Sequence, residues 1–451
     1  SDAKRILIAD MQCHDGTSVV TKHIAKKPYI SWPGDTIANQ PYIDVIKSVP
    51  GITSSIDSDT VLGDFVLKND GKLNDFLNYA WHGHKLNFAL GDKSWSRDDF
   101  IPVSTGINAG FKSIDRFSLS FYLRDKRKLL ETPVETQLID DKWSPLVLGK
   151  CKNVTPVLVD SVTRLYCINH IACTIDEVRD NGNSVAFTDN GDGTFNTTNP
   201  VYGDITGDVS EPHNTISLFV DYLCNLAGLI PAEIDSSYPN TATVGMVIQS
   251  GVSINQVLTD LLTSAGGYGR FNRVGIYKLN RFDVPVSGGD ILSGGQIKPN
   301  TIKLVKVEQP YKSRQLSYQK NWTIQNKSSL ATVLSDADKE LYSSEYKRVS
   351  AINATLDDER YPLAETPEIK ESYFYYAVDA QAEVDRLIIL RATERRQYSV
   401  ETFATTFAHQ VADSIFMHNT KSSFFATGKD VTIISLTENY DKNQNAVRVW
   451  L

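Results

Sequence analysis

The sequence predicts an α+β protein, mainly β, built from more than one domain. Three observations lead there. The chain has 451 residues, more than one hydrophobic core usually supports, and a prior of ~150 residues per domain divides it into about two to four. Most of it reads as short runs of alternating apolar and polar residues separated by Asn, Asp and Gly, the pattern of half-buried strands and turns. In a minority of segments the apolar period changes to that of a helix.

Composition narrows the function classes. Hydrophobic residues at 41% and charged residues at 22% describe an ordinary globular protein rather than a disordered one. A net charge of −8 gives no support to wrapping nucleic acid, which needs a basic face, although DNA could still slide past without sticking. The apolar run at residues 6–9 is ended by Asp10 and is too short for a signal-peptide core. No uncharged apolar stretch approaches the ~20 residues needed to span a bilayer, so the expectation is a soluble chain without stable membrane insertion. The five cysteines, Cys13, Cys151, Cys167, Cys173 and Cys224, form no CxxC pair, which argues against a disulfide framework and a zinc ribbon.

Residues 1–150 read as a first β domain, completed if needed by later strands, with turn signals at Asn69-Asp70-Gly71 and Gly91-Asp92. Residues 151–210 read as a small β domain with turns at Asp180-Asn181-Gly182 and Asp192-Gly193. Residues 211–300 form an α/β module. Its first helix carries Ile216, Phe219, Val220, Leu223 and Ala227 on one face, with Asn214 or Thr215 as N-cap and Gly228 as stop. Its second begins at Ser253, with Ile254, Val257, Leu258, Leu261 and Leu262 as the stripe and Gly266-Gly267 as the end, and two strands follow. Residues 301–451 return to β structure, interrupted by a helix over about 328–346, carrying Leu330, Val333, Leu334, Ala337 and Leu341, and by another starting near Asp379. An exposed loop separates these helices, and the end is again β, with a polar turn at "YDKNQN".

Within this last domain, "QLSYQKNWTIQ" (residues 315–325) alternates with a period of two. Leu316, Tyr318, Trp322 and Ile324 fall on one side with Lys320 as the exception; Ser317, Gln319, Asn321, Thr323 and Gln325 fall on the other. The apolar side belongs to a core. The uncharged polar side faces water, a ligand or another copy of the chain.

The remaining chemistry-bearing groups have structural readings. "GGYGRFNRVG" follows a helix, and a helix C-terminus presents carbonyls that repel phosphate, so these glycines cap the helix. His82 and His84 flank a glycine in a wet turn with no third metal ligand nearby. Asp189, Asn190 and Asp192 resemble the start of a calcium loop but lack the closing Glu, and a hairpin turn is preferred. Cys167 and Cys173 would share a face of one strand with His170 opposite, and buried strand cysteines are preferred to a metal or cluster site. There is no GxSxG, no HExxH and no Cys/His signature. Carboxylate runs such as Asp98-Asp99 and Asp357-Asp358-Glu359 read as solvated loops. No catalytic residue, metal or cofactor is expected.

Several stretches, in order, resemble one family: "YISWPGDTIANQPYIDVI", "LGDFVLKNDGKLNDFLNYAWHGHKLNFALGDKSW", "LSFYLRDKRKLLETPV", "GKCKNVTPVLVD", "VRDNGNSVAFTDNGDGTFNTTNPVYGDITGDV", "LTSAGGYGRFNRVG", "LSYQKNWTIQ" and the closing "VTIISLTENYDKNQNAVRVWL". The chain resembles the tail-tip or baseplate hub proteins of long-tailed bacteriophages, especially siphophages. The resemblance runs over nearly the whole chain, and its specificity lies in order and spacing. One departure is Val411-Ala412-Asp413, where a Gly-Asp turn would be expected.

The resemblance implies two tail-tube-like antiparallel β-barrel domains joined by smaller domains, assembled as a homotrimer whose barrels form a pseudo-six-fold ring. It implies a virion structural protein at the tail tip, assembled in the bacterial host cytoplasm, that closes or extends the tail tube. Its partners would be a distal tail or tube protein above and tip or fibre proteins below, with double-stranded DNA passing through on ejection. On that reading Ser317, Gln319, Asn321, Thr323 and Gln325 form a channel wall or subunit contact, covered behind by the helix near residue 328. Two rivals are a receptor- or carbohydrate-binding module, motivated by 20 Tyr and 6 Trp, and a tail-associated cell-wall hydrolase.

Overall fold

The computed structural model describes residues 5–56, 61–403, 409–439 and 444–451. Among the described residues, strands far outnumber the four α-helices and make it mainly β, as the alternation predicts. The first large sheet has nine strands, in the spatial order Tyr29–Ile30, Pro41–Asp44, Val19–Ala25, Arg5–His14, Lys85–Asp92, Ile101–Ile114, Ser118–Arg124, Phe65–Lys68 and Ile46–Ser48. All its pairings are antiparallel except Val19–Ala25 with Pro41–Asp44. Strand Arg5–His14 is central and covered on both faces: Leu7, Ala9 and Met11 join a core with Phe65, Phe88 and Phe121, while Ile6 and Ile8 pack with Tyr29, Tyr42 and Phe100. Burial on both faces gives the continuous apolar run at residues 6–9.

A five-stranded sheet (Asn183–Ser184, Thr174–Asp180, Ile205–Ser210, Leu146–Val154, Gly245–Ile248) and a four-stranded one (Val157–Asp160, Leu165–Cys167, Thr194–Thr197, Phe187–Asp189) enclose a core of Val147, Cys151, Ile168, Phe195 and Val209. Next come α1 (Ile216–Leu226) and α2 (Ile254–Ser264), capped by the Thr215 and Ser253 hydroxyls, which accept from the amides of Leu218 and Gln256. Gly228 and Gly266 take left-handed conformations just past the two helices, where a Cβ would be strained. The hairpin Gly267–Phe271/Tyr277–Arg281 follows α2.

The last large sheet runs Asp290–Ser293, Ser414–His418, Lys429–Asn439, Gln444–Trp450, Arg395–Phe403, Lys303–Glu308. It also receives a strand from early in the chain: Ile52–Ser55 pairs antiparallel with Lys429–Asn439, Ser55 opposite Ser435 and Ile52 opposite Glu438. The expectation that later strands complete the first β domain is therefore reversed in direction, since an early hairpin completes the late sheet. The barrel expectation also changes. Among the described residues, both large sheets are open paths whose end strands do not pair with each other.

One helix differs from expectation in extent and another in what it packs against. The predicted helix over 328–346 is only α3 (Asp336–Ser343), capped by Ser335. Upstream, Asn326 Oδ1 accepts from the Ser328 amide at 3.1 Å, and the Ser329 hydroxyl donates to the Asn326 carbonyl at 2.8 Å. These side chains offer the backbone a turn in place of a helical ladder. Leu330 and Leu334, read as part of a helical stripe, instead close over the turn at Gly182, where a Cβ would lie 3.0 and 2.8 Å from their methyl carbons. The other helix, α4 (Ala377–Leu390), forms as predicted. Its Ala380 and Val384 pack with Leu316 and Phe374 into the core of α1 and α2, while the core of the last sheet is built from its own strands and loops. Among the described residues, neither α3 nor α4 contributes to the core of the last sheet, unlike the expected covering by helices.

At Val411-Ala412-Asp413, where a Gly-Asp turn is expected, Ala412 adopts φ 79°, a left-handed conformation costing an L-residue ~1–2 kcal/mol. Hydrogen bonds on either side hold it there: Ala412 N to Ile433 O at 2.8 Å and Ile433 N to Asp413 O at 2.9 Å. Ala412→Gly relieves the strain but adds freedom to the unfolded chain. The expected net result is stabilisation by ~0.5–1 kcal/mol, read as a higher denaturant midpoint. A lower midpoint would show that the turn is unstrained.

Candidate functional site

The polar face predicted over residues 315–325 is not one continuous strand. Strand Ser313–Tyr318 pairs with Lys347–Ile352 and stops at Gln319, whose φ of 49° turns the backbone out of the sheet. Ser317, Asn321 and Gln325 are buried, whereas Gln319 and Thr323 are half-buried. The Ser317 amide donates to Lys370 O at 2.9 Å, and its carbonyl accepts from the Ser372 hydroxyl. Gln319 N donates to Phe374 O at 2.8 Å, and Gln325 N to Tyr342 O at 3.0 Å. Apolar Ile324, expected inside, is 55% exposed.

Asn321 sits in a polar network whose centre the sequence reading missed. Its side-chain amide donates to Tyr342 O at 2.8 Å and Ser344 O at 3.1 Å, while its Oδ1 accepts from Asn153 Nδ2 at 2.9 Å. The same Asn153 nitrogen donates to Thr323 O at 2.6 Å, and Thr323 and Thr155 share a hydroxyl hydrogen bond of 2.6 Å. Asn153 N in turn donates to Asp208 Oδ1 at 2.9 Å. Asp208 receives a two-pronged contact from Arg179, Nη1 to Oδ1 at 2.8 Å and Nη2 to Oδ2 at 2.7 Å, with Lys152 Nζ 3.7 Å away. Arg179 is 1% exposed, and its guanidinium lies 5.1 Å from the centre of the Tyr342 ring. Burial works to raise the Asp208 pKa, but the Arg179 pair outweighs it and holds the carboxyl below its usual range. The five residues are thus anchored within one chain, joining the small β sheets to the segment around α3.

The other chemistry-bearing groups are structural where described. Asp189 and Asp192 accept from the amides of Gly191 and Thr194 at 2.8 and 2.9 Å and shape a hairpin turn. Cys167 ends one strand and Cys173 precedes another, so they do not share a strand; both are buried, and burial pushes the Cys173 thiol up to about 12. His170 lies exposed, its Nδ1 accepting from the Gln137 amide at 3.2 Å. His82 is exposed and His84 half-buried. Among the described residues no three His, Cys, Asp or Glu side chains converge as a metal site, and no helix is long and apolar enough to cross a membrane. The polar turn "YDKNQN" lies mostly outside the described residues.

The last sheet ends in a distinctive surface. Edge strand Lys303–Glu308 pairs on one side with Arg395–Phe403 and has no sheet partner on the other among the described residues. Leu304, Val305 and Val307 are 52%, 46% and 39% exposed. An apolar edge with unpaired backbone groups is a template for another strand.

No protein-family model and no curated protein matches the chain. Solved structures do. A tail protein from Neisseria meningitidis MC58 aligns at 10% identity and TM-score 0.44 over 99% of this chain and 96% of its own. The 43 kDa tail protein of prophage MuSo2 from Shewanella oneidensis aligns at 11% and 0.44 over 99% and 98%. Prophage tail protein gp18 from Listeria monocytogenes EGD-e aligns at 7% and 0.44 over 99% and 94%. The solved structures to which this chain is similar thus include phage tail proteins.

Proposed function

We propose that the chain is a structural protein of a phage virion, the trimeric hub of a tail tip, which closes or extends the tail tube and lets DNA pass during ejection. The observation that carries this reading is the presence of two large, open, mainly antiparallel sheets in one chain, tied together by the crossing hairpin at Ile52–Ser55. Three copies set ~six such sheets around one axis, and pairing of edges between copies closes a ring with no free edge. The ordered sequence resemblance to hub proteins supports the same reading. The hub has no catalytic role; its partners are a tube or distal tail protein on one side and tip or fibre proteins on the other. Of the five polar residues at 317–325, Gln319 and Thr323 keep solvent access, so any share in a channel wall or subunit contact falls to those two.

The test is electron microscopy and light scattering of the purified protein. The expected result is three-fold rings with the mass of ~three chains, and labelling of virions at the tail end distal to the capsid. A well-behaved monomer over a wide concentration range, or label along the whole tube, overturns the reading.

A further inference from the structure

A cavity of about 700 Å³ opens where the α/β module meets the last sheet. Its wall takes in the last turns of α2 and α4, the hairpin strand Gly267–Phe271, the edge strand Lys303–Glu308 and the ring of Trp450. The described lining carries six basic side chains, Arg127, Arg270, Lys306, Arg314, Lys370 and Arg391, against a single carboxylate, Glu308. That carboxylate is already shared: Lys306 Nζ lies 2.8 Å from one oxygen, and Arg391 Nη1 and Trp450 Nε1 lie 3.4 and 3.2 Å from the other.

Arg270, Arg314 and Lys370 have no carboxylate within ion-pair distance among the described residues, although Asp413 acts on Arg270 from farther away. Arg270 Nη1 is buried without a hydrogen-bond partner, as is Arg391 Nε. Arg314 Nη1 donates only to a neutral carbonyl, Glu368 O at 3.0 Å. Lys370 is half-buried with no side-chain partner, and burial is the main cause lowering its pKa to about 8. Glu383 lies near it, but Arg386 engages both Glu383 oxygens at 2.7 and 2.8 Å. The carbonyl ends of α2 and α4 favour cations, yet a helix end supplies only about half a charge. Clustered cations without anions are costly in a folded chain unless something else neutralises them.

We infer that this cavity binds a small phosphorylated molecule of nucleotide size through Arg270, Arg314 and Lys370. Guanidinium forks match phosphate oxygens two at a time, and the ammonium adds a point charge. The rings of Tyr268 and Tyr311 in the same lining offer flat surface to an organic group, with the Arg391 guanidinium 4.5 Å from the Tyr311 ring centre. The volume falls in the small-molecule range of ~300–1,000 Å³. A single chain holds the whole cavity, so this inference stands or falls separately from the trimeric hub.

Titration calorimetry of the full chain with ATP and with inorganic tripolyphosphate tests it. Saturable binding by the wild type is expected, weakened about tenfold or more in Arg270→Gln and in Arg314→Gln. Because Arg270 has no partner to orphan, Arg270→Gln should melt no lower than the wild type, a result that a structural role would not give. If that variant does not fold, Arg314→Gln and Lys370→Gln carry the same expectation. No saturable heat with either phosphate overturns the proposal, as does equal binding by wild type and variants. Binding of hexaglutamate in place of both phosphates also overturns it and assigns the cavity to an acidic partner segment.

Discussion

Asp208→Asn is expected to destabilise the protein by up to ~3 kcal/mol, measured as a shift of the denaturant midpoint, because it removes the better buried of the two carboxylates that neutralise the Arg179 guanidinium. Arg179 makes two short contacts to this carboxylate, 2.8 and 2.7 Å, and has almost no access to water. Its third carboxylate contact, to Glu177, lies closer to the surface and cannot replace them. Asparagine keeps the shape and one acceptor but removes the charge. The double variant Arg179→Met/Asp208→Leu should recover much of the loss, since replacing both partners of a buried pair is far less costly than removing one. The pair also sets a pH dependence. Asp208 is held ionised below its usual range, so its contribution is complete above the unfolded pKa and is lost as pH falls through the folded value. The wild type should lose stability in that acid window, and Asp208→Asn should flatten part of the slope. Other carboxyls that are also held low, among them Asp10 paired with Arg97 and His23, keep the rest. A midpoint change below ~0.5 kcal/mol, the range of an ordinary surface substitution, would show that water reaches Arg179.

The fate of this pair shows what the sequence could and could not reveal. Mainly β structure, α1, α2 and α4 with their caps, and the hairpin after α2 follow from local periodicity and capping chemistry, because the decisive contacts are between residues close in sequence. Arg179 was illegible for the opposite reason. A bulge between Ile175 and Glu177 shifts the alternation, so that Val178 and Arg179 are both buried, and the partner Asp208 lies 29 residues away. The polar face at 315–325 failed through one backbone conformation: Gln319 at φ 49° ends the strand, which a period-two count cannot see. The stripe of Leu330 and Leu334 was real apolar signal assigned to the wrong element, since serines favour turns and the leucines seat on Gly182 from afar. The cationic cavity draws its arginines from separate elements, and no local window of sequence joins them.

Val305→Glu together with Val307→Glu is expected to abolish ring formation while leaving the fold intact. Both side chains lie on the open edge strand Lys303–Glu308 and are 46% and 39% exposed, so each change should cost the isolated chain no more than roughly 0.5 kcal/mol. In the proposed ring the same residues are covered by a strand of the next copy, and burying two unpaired carboxylates there is strongly unfavourable. Charge on an edge strand is also the common natural means of keeping one sheet from adding to another. In the proposed ring the contact would be heterologous, one edge meeting a different surface of the next copy, so a defect repeated in every copy would break every contact at once. Light scattering should show the mass of a single chain, with circular dichroism and the denaturant midpoint close to wild type. Tyr202→Glu, at a 91% exposed position away from this edge, should leave rings intact and serves as the control. Rings of unchanged mass in the double variant would place the subunit contact elsewhere, with the Lys303–Glu308 edge left to another tail protein.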